Sequence, residues 1–133
     1  MCIEKLTGLI IGCAMDVHKM LGPGYLESVY ENALAIELRA HGVQFQCQAS
    51  VPVTYKGHVI GDFTADLIVE NSVIVELKAT ANFHDRHGVQ LVNYLTATGI
   101  DDGLLLNFGA ESLQFKRKRR VYTPSPHPNS QSC

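Results

Sequence analysis

The spacing of apolar residues changes along this chain, and the change restricts the folds it can form. Before about Cys47, apolar residues recur every three to four positions, which is the period of an α-helix. After Cys47 they recur at every second position, which is the period of a strand, and one later stretch returns to helical spacing. The chain is therefore expected to belong to the α/β class.

Two helices are predicted before the change of period. The first covers Ile3 to Leu21 and ends at Gly22-Pro23-Gly24, because proline cannot extend a helix and glycine adopts the left-handed conformations that end one. The second runs from about Leu26 to Ala40 and is closed by His41-Gly42.

The remaining pattern predicts three strands, a helix and two further strands. Their ranges are Cys47 to Tyr55, His58 to Val69, Ser72 to Lys78, Phe83 to Thr98, Gly103 to Phe108 and Ser112 to Tyr122. Three consecutive strands followed by a helical crossover give a mixed sheet with helices on its faces. We expect a single domain over residues 1–122, and a disordered tail over the proline- and serine-rich residues 123–133.

The composition of the chain indicates the cellular compartment in which we expect the protein to work. No apolar stretch approaches the roughly 20 residues that a membrane span needs, and the four separated cysteines form neither a zinc knuckle nor a redox pair. We therefore expect a cytoplasmic protein with no membrane partner.

The net charge of -2 argues against non-specific binding of nucleic acid, but the charge is unevenly distributed. The segment from Glu111 to Tyr122 carries +4, and the rest of the chain carries -6. In a strand, Lys116, Lys118 and Arg120 would share one side. They are candidates for contact with a nucleic-acid backbone, or they only keep an edge strand soluble.

Two of the predicted strands bring three reactive side chains together. If Glu70-Asn71-Ser72 is a three-residue hairpin loop, Asp66 lies opposite Glu76, with Cβ atoms about 5 Å apart, and Lys78 follows on the same face. Strict alternation would place Asp62, Thr64, Asp66 and Ile68 on one face of the first of these strands.

Two carboxylates that face each other repel unless a positive group lies between them. Mg²⁺, with Mn²⁺ as its substitute, suits such a pair because it binds one or two carboxylates and keeps several waters. Lys78 would then orient or deprotonate an attacking water. The alternative is an ordinary salt bridge of Lys78 with Asp66 or Glu76 on a solvated face.

The second and third helices each carry a polar stripe. The stripes comprise Glu27, Tyr30 and Glu31 on the second helix, and His87, Gln90 and Tyr94 on the third. Each stripe either reaches the carboxylate pair or faces solvent. His84 and His87 would likewise suit a transition metal or lie on the surface as ordinary histidines.

Four ordered blocks resemble the GxxExxY proteins, which are placed in the PD-(D/E)XK nuclease superfamily. The blocks are Gly24 to Tyr30, Asp62 to Asp66, Val75 to Lys78 and Gln90 to Leu95. The resemblance extends from about Leu6 to Val121. It implies a restriction-endonuclease-like α/β/α sandwich with a mixed central β-sheet.

The resemblance also implies roles for individual residues. These are Asp66 and Glu76 as metal ligands, Lys78 as the catalytic lysine, Glu27 as the helical acid that precedes them, and Gln90 with Tyr94 as polar residues of the late helix. Ala65 stands where the superfamily's name has a proline. The leading hypothesis is a Mg²⁺-dependent nuclease acting on DNA or RNA. The alternative is a non-catalytic binding or assembly module of the same fold, with a homodimer as a candidate assembly.

Overall fold

Three helices and five strands make up the computed structural model, which describes residues 1–120. They are α1 (Ile3–Leu21), α2 (Glu27–Ala40), β1 (Phe45–Tyr55), β2 (His58–Val69), β3 (Val73–Lys78), α3 (Asp85–Thr98), β4 (Asp102–Asn107) and β5 (Gln114–Arg119). The predicted order of elements is confirmed, and α1 and β2 have the predicted bounds. The predicted tail, residues 123–133, lies outside the described residues.

The five strands form one mixed sheet in the order β1-β2-β3-β4-β5. β3 and β4 are parallel and joined by α3, whereas the other neighbouring pairs are antiparallel. In the hairpin between β2 and β3, Val69 pairs with Val73, and Glu70 and Asn71 have φ of 52° and 53°. The predicted three-residue loop is therefore confirmed, and its first two residues adopt the left-handed conformation.

The helices cover both faces of this sheet. α1 and α2 pack on one face through a core that includes Ile10, Leu34 and Leu67. α3 packs on the other face through Leu91 and Leu95. The result is the expected three-layer α/β/α sandwich.

Strict alternation along β2 was a wrong prediction. Ala65 packs with Ile68 in the core under α3, whereas Leu67 packs in the core under α1 and α2. The alternation breaks because the β1–β2 ladder has no pair at Gln48 and Asp66, where Gln48 has φ of 51°. Both strands therefore change the face they present to each core at this point.

The start of α3 is fixed by two histidines, and this explains why the helix begins after Phe83. The His84 ring Nδ1 accepts a hydrogen bond from the Arg86 amide at 3.2 Å, and the His87 ring Nδ1 accepts one from the His84 amide at 3.3 Å. This reciprocal arrangement is a capping box. The two rings therefore define where α3 begins, and the Nδ1 atom of each ring accepts a hydrogen bond from a backbone amide.

Candidate active site

The candidate site lies where β2 separates from β3. Pairing between these strands ends at Leu67 and Val75. Beyond that point the Leu77 amide donates to Asp66 Oδ2 at 2.8 Å, so the carboxylate takes the place of a backbone carbonyl. The Asp66 side chain is thereby fixed beside β3, next to Glu76.

Glu76 is the most unusual acid of the site. Its side chain is in the interior, with only 7% of the residue exposed, and Oε1 is buried without a hydrogen-bond partner. The pKa of Glu76 is raised to about 9, mainly because the group is buried and also because the charge of Asp66 and a hydrogen bond with its side chain favour the protonated form, whereas the charge of Lys78 lowers it. A buried carboxyl atom without a partner normally has a structural or catalytic cause.

This pair fits a divalent cation. Across residues 1–120 no group of three or more His, Cys, Asp or Glu side chains is arranged to hold a metal ion by itself. Mg²⁺ commonly takes only one or two carboxylates and completes its shell with water and substrate phosphate. The unpartnered oxygen of Glu76 beside Asp66 therefore matches the donor set that Mg²⁺ or Mn²⁺ uses.

Lys78 ends β3 next to these acids. The Phe108 amide donates to the Lys78 carbonyl at 2.8 Å, which continues the parallel pairing of β3 with β4. The charge of Lys78 lowers the pKa values of Glu76, Glu27 and His87, so its ammonium lies within electrostatic reach of all three. The predicted grouping of Asp66, Glu76 and Lys78 is present in the structure.

The loop after β3 is held by hydrogen bonds with the buried Asn107 and packs closely against the backbone at Gly109. Asn107, which is fully buried, donates to the Thr80 carbonyl at 2.9 Å and accepts from the Thr80 amide at 3.0 Å. A Cβ at Gly109 would lie 2.3 Å from the Thr80 backbone. These contacts fix the chain two residues after Lys78.

Two acids of α2, Glu27 and Glu31, lie near the site on the face of the sheet that α1 and α2 cover. Burial raises the pKa values of Glu27 and Glu31, and the charge of Asp66 raises both further. For Glu27 the charge of Lys78 opposes the shift, and for Glu31 the hydrogen bond from Gln48 opposes it. The predicted position of Glu27 near the strand residues is thus present, and Glu31 accompanies it.

Tyr30 does not belong to this polar surface, contrary to the helical-stripe prediction. It is fully buried and stacks on Phe108, with ring centroids 4.7 Å apart. Its hydroxyl donates to the Gly22 carbonyl at 2.6 Å. Tyr30 therefore holds the Gly22–Gly24 turn against α2, and so fixes the start of the helix that carries Glu27.

Gln90 and Tyr94 of α3 lie near the site on the opposite face of the sheet from α2. Tyr94 stacks on Phe63, with centroids 3.6 Å apart and planes 9° from parallel. Burial raises the pKa of Tyr94, and the charges of Glu76 and Asp66 raise it further, whereas a hydrogen bond with Gln90 lowers it. Gln90 and Tyr94 are therefore paired with each other beside the two acids.

A groove of about 420 Å³ runs beside Lys78 along α3. It is lined by Lys78, Arg86, His87, Val89, Gln90 and Asn93. Burial lowers the pKa of His87, and the charges of Lys78, Arg86 and His84 lower it further. The groove therefore offers two basic side chains, Lys78 and Arg86, and several other hydrogen-bonding groups, a composition suited to a phosphate backbone.

The two predicted lysines of β5 contact α3 or the segment before it. Lys116 Nζ lies 5.2 Å from the centroid of the Phe83 ring. Lys118 passes over Gly88, where a Cβ would come within 2.8 Å of Lys118 Cε. β5 is separated from β3 by β4, which places it roughly 10 Å from the strand that carries Glu76.

Arg120 follows β5 and is engaged in an ion pair. Its Nη2 lies 3.0 Å from Asp101 Oδ1, and its Nε donates to the same oxygen at 3.1 Å. Asp101 thus balances the charge of Arg120, so Lys116 and Lys118 are the stronger candidates for contact with a nucleic acid.

Sequence reasoning gave no role to two residues that the fold brings to the site, Arg86 and Gln48. Arg86 lies in the first turn of α3, where no motif singles it out. Gln48 carried no sequence signal at all, because its contact with Asp66 depends on a left-handed backbone inside a strand.

The fold and the grouping of Asp66, Glu76 and Lys78 are accounted for by a single nuclease superfamily. A family model described as the PD-(D/E)XK nuclease superfamily matches residues 4–120. The chain belongs to this superfamily. The match covers nearly the whole described region, and it includes Asp66, Glu76 and Lys78.

A solved structure shows the same fold. The crystal structure of SSO0001 is similar to this chain with a TM-score of 0.58 at 16% identity, over 72% of this chain and 50% of that one. This chain therefore spans about half the length of that protein. No curated protein matches the chain. Within residues 1–120, no helix is both long and apolar enough to cross a membrane.

Proposed function

We propose that this protein is a Mg²⁺-dependent nuclease that hydrolyses phosphodiester bonds of DNA or RNA. The observation that carries the proposal is the buried, unpartnered Oε1 of Glu76, held against Asp66 with Lys78 beside them. Membership of the nuclease superfamily supports the same activity.

The proposed roles follow from position. Asp66 and Glu76 would hold the cation, which when bound would offset their charge and withdraw electron density from a phosphate oxygen. Lys78 would donate a hydrogen bond to the attacking water or to the phosphate. Glu27 would orient a water from the α2 side, because it lies within electrostatic reach of Lys78 and Asp66.

Gln90 and Tyr94 would position the phosphate or the lysine. Their mutual hydrogen bond and the stacking of Tyr94 on Phe63 hold both groups in place before substrate arrives. The backbone of the nucleic acid would follow the groove past Arg86 towards Lys116 and Lys118. Contacts of this kind are to phosphate and so carry little sequence information.

The direct test is cleavage of labelled single- and double-stranded DNA and RNA, with Mg²⁺, Mn²⁺ or EDTA. We expect cleavage that needs the cation and falls at least a hundredfold in Lys78→Ala and Asp66→Asn, as is usual for loss of a group acting in the transition state. Lys56→Ala is the matched control, because Lys56 lies in the β1–β2 turn.

Equal cleavage by wild type and Lys78→Ala would contradict the role of the lysine. Absence of both cleavage and Mn²⁺ binding by calorimetry would leave the alternative, a non-catalytic module of nuclease fold. The same preparation, measured by light scattering, tests the proposed homodimer. A cytoplasmic location is also proposed, since Cys2, Cys13 and Cys47 are free thiols.

A further inference from the structure

Gln48 has a backbone conformation that is unusual for its place in the fold. Its φ is 51°, in the left-handed region that disfavours residues with a side chain. In residues 1–120 the other non-glycine residues with positive φ are Lys56, Glu70 and Asn71, and all three lie in turns. Gln48 lies inside strand β1.

An inserted residue does not explain this conformation. Cys47 pairs with Leu67 and Ala49 pairs with Ala65, so the register of β1 and β2 is the same before and after Gln48. A common bulge would add a residue to one strand and shift the register. The backbone at Gln48 is therefore bent without any change in the count of paired residues.

The side chain of Gln48 supplies the reason for the bend. Its Nε2 donates to Glu31 Oε1 at 2.6 Å and lies 3.4 Å from Asp66 Oδ1. The other oxygen of Asp66 accepts the Leu77 amide at 2.8 Å. Both oxygens of Asp66 thus have a donor, one from β1 and one from β3, and Gln48 also ties Asp66 to α2.

We propose that Gln48 is a positioning residue of the candidate active site, held in a left-handed conformation so that its amide joins Glu31 to Asp66. This inference rests on the proposed function for its catalytic meaning. Strained residues persist where the surrounding structure compensates for them, and they concentrate at functional sites. A glycine would relieve the backbone at this position but would lack the amide that holds the two acids.

The test separates backbone strain from side-chain contact. Gln48→Gly removes both, and Gln48→Asn keeps a residue that tolerates φ above zero but has an amide too short to span Glu31 and Asp66. Gln46→Gly is the matched control, because Gln46 is another exposed glutamine of β1 whose φ is not positive.

Three quantities are measured on the full chain. They are the thermal midpoint without metal, the exchange rate of the Leu77 amide relative to amides at the centre of β3, and the Mn²⁺ affinity by calorimetry. The Leu77 amide reports directly on Asp66, since it donates to that carboxylate. It does so without metal, substrate or turnover.

We expect Gln48→Gly to raise the midpoint by about 2–4 °C. We expect the same variant to accelerate Leu77 exchange and to weaken Mn²⁺ binding, each by about tenfold. Gln48→Asn should show the same two losses with an unchanged midpoint. Gln46→Gly should lower the midpoint, because glycine weakens an ordinary strand, and leave relative Leu77 exchange within twofold.

Unchanged Leu77 exchange in Gln48→Gly, or Mn²⁺ affinity within twofold of wild type, would overturn the proposal. If wild type itself binds no Mn²⁺, the proposed function fails, and Leu77 exchange alone then decides whether Gln48 positions Asp66. The two failures are therefore distinguishable.

Discussion

The Leu77 amide donates a hydrogen bond of 2.8 Å to Asp66 Oδ2 at the point where β2 and β3 stop pairing. A side chain here replaces the backbone acceptor that the ladder would otherwise supply. The consequence is a fixed carboxylate against the buried carboxyl of Glu76. The electrostatics of the site follow from this arrangement.

Stability without metal should fall as pH rises, because of Glu76. Its pKa is raised from 4.5 to about 9, so folding favours the protonated form. The stability this provides is fully present below pH 4.5, where the unfolded state is also protonated, and is lost as pH rises towards 9. We expect Glu76→Gln to be more stable than wild type at pH 8.5 by roughly 1–3 kcal/mol, measured by urea unfolding in EDTA. Equal pH profiles for the two proteins would contradict this assignment.

Mn²⁺ affinity should change with pH in the opposite direction. Binding requires Glu76 to lose its proton, so affinity should rise by up to about tenfold per pH unit between pH 6 and 8. Calorimetry in buffers of different ionisation enthalpy would count the released proton. Asp66→Asn should weaken binding, and an affinity independent of pH in wild type would show that the cation binds elsewhere.

Gly109→Ala should destabilise the protein severely. The added Cβ would lie 2.3 Å from the Thr80 backbone, which the buried Asn107 already holds. We expect a loss of at least about 2–3 kcal/mol in the free energy of unfolding, because overpacking forces the backbone to move. Gly8→Ala is the control, since Gly8 lies within α1 with nothing within 4 Å of its added Cβ, and it should gain about 0.5–1 kcal/mol.

Tyr30→Phe should lower stability and also reduce cleavage. The hydroxyl donates to the Gly22 carbonyl at 2.6 Å, and its loss should reduce the free energy of unfolding by about 1–2 kcal/mol. Because this bond fixes the turn before Glu27, activity should fall by more than the unfolded fraction explains. Tyr55→Phe, at the exposed end of β1, should change neither quantity.

Binding of nucleic acid should depend on Lys116 and Lys118 through charge alone. Each Lys→Ala variant should weaken binding in EDTA similarly for different sequences, and should reduce the slope of log affinity against log salt by about 0.7–0.9. Lys5→Ala in α1 is the control. Unchanged slopes would mean that the lysines only keep the edge strand soluble.

Much of this protein was predictable because its local signals agree with its tertiary structure. The period of apolar residues predicted each helix and strand found in residues 1–120, and the hairpin loop at residues 70–72 placed Asp66 beside Glu76. The predictions failed where a residue's environment depends on residues far away along the chain. Tyr30 has the sequence position of a polar-stripe residue, yet Phe108 and Gly22 enclose it.

The order of elements, the mixed character of the sheet and the grouping of two acids with a lysine all follow from spacing within short segments, so they could be predicted from the amino-acid sequence. Three features depend on the packing of distant segments: the burial of Glu76 with an unpartnered oxygen, the change of face of β2 at Asp66, and the bend at Gln48 that brings its amide to two acids. Burial and strain depend on what packs around a residue, and residues far apart in the chain supply that packing. No local pattern records it.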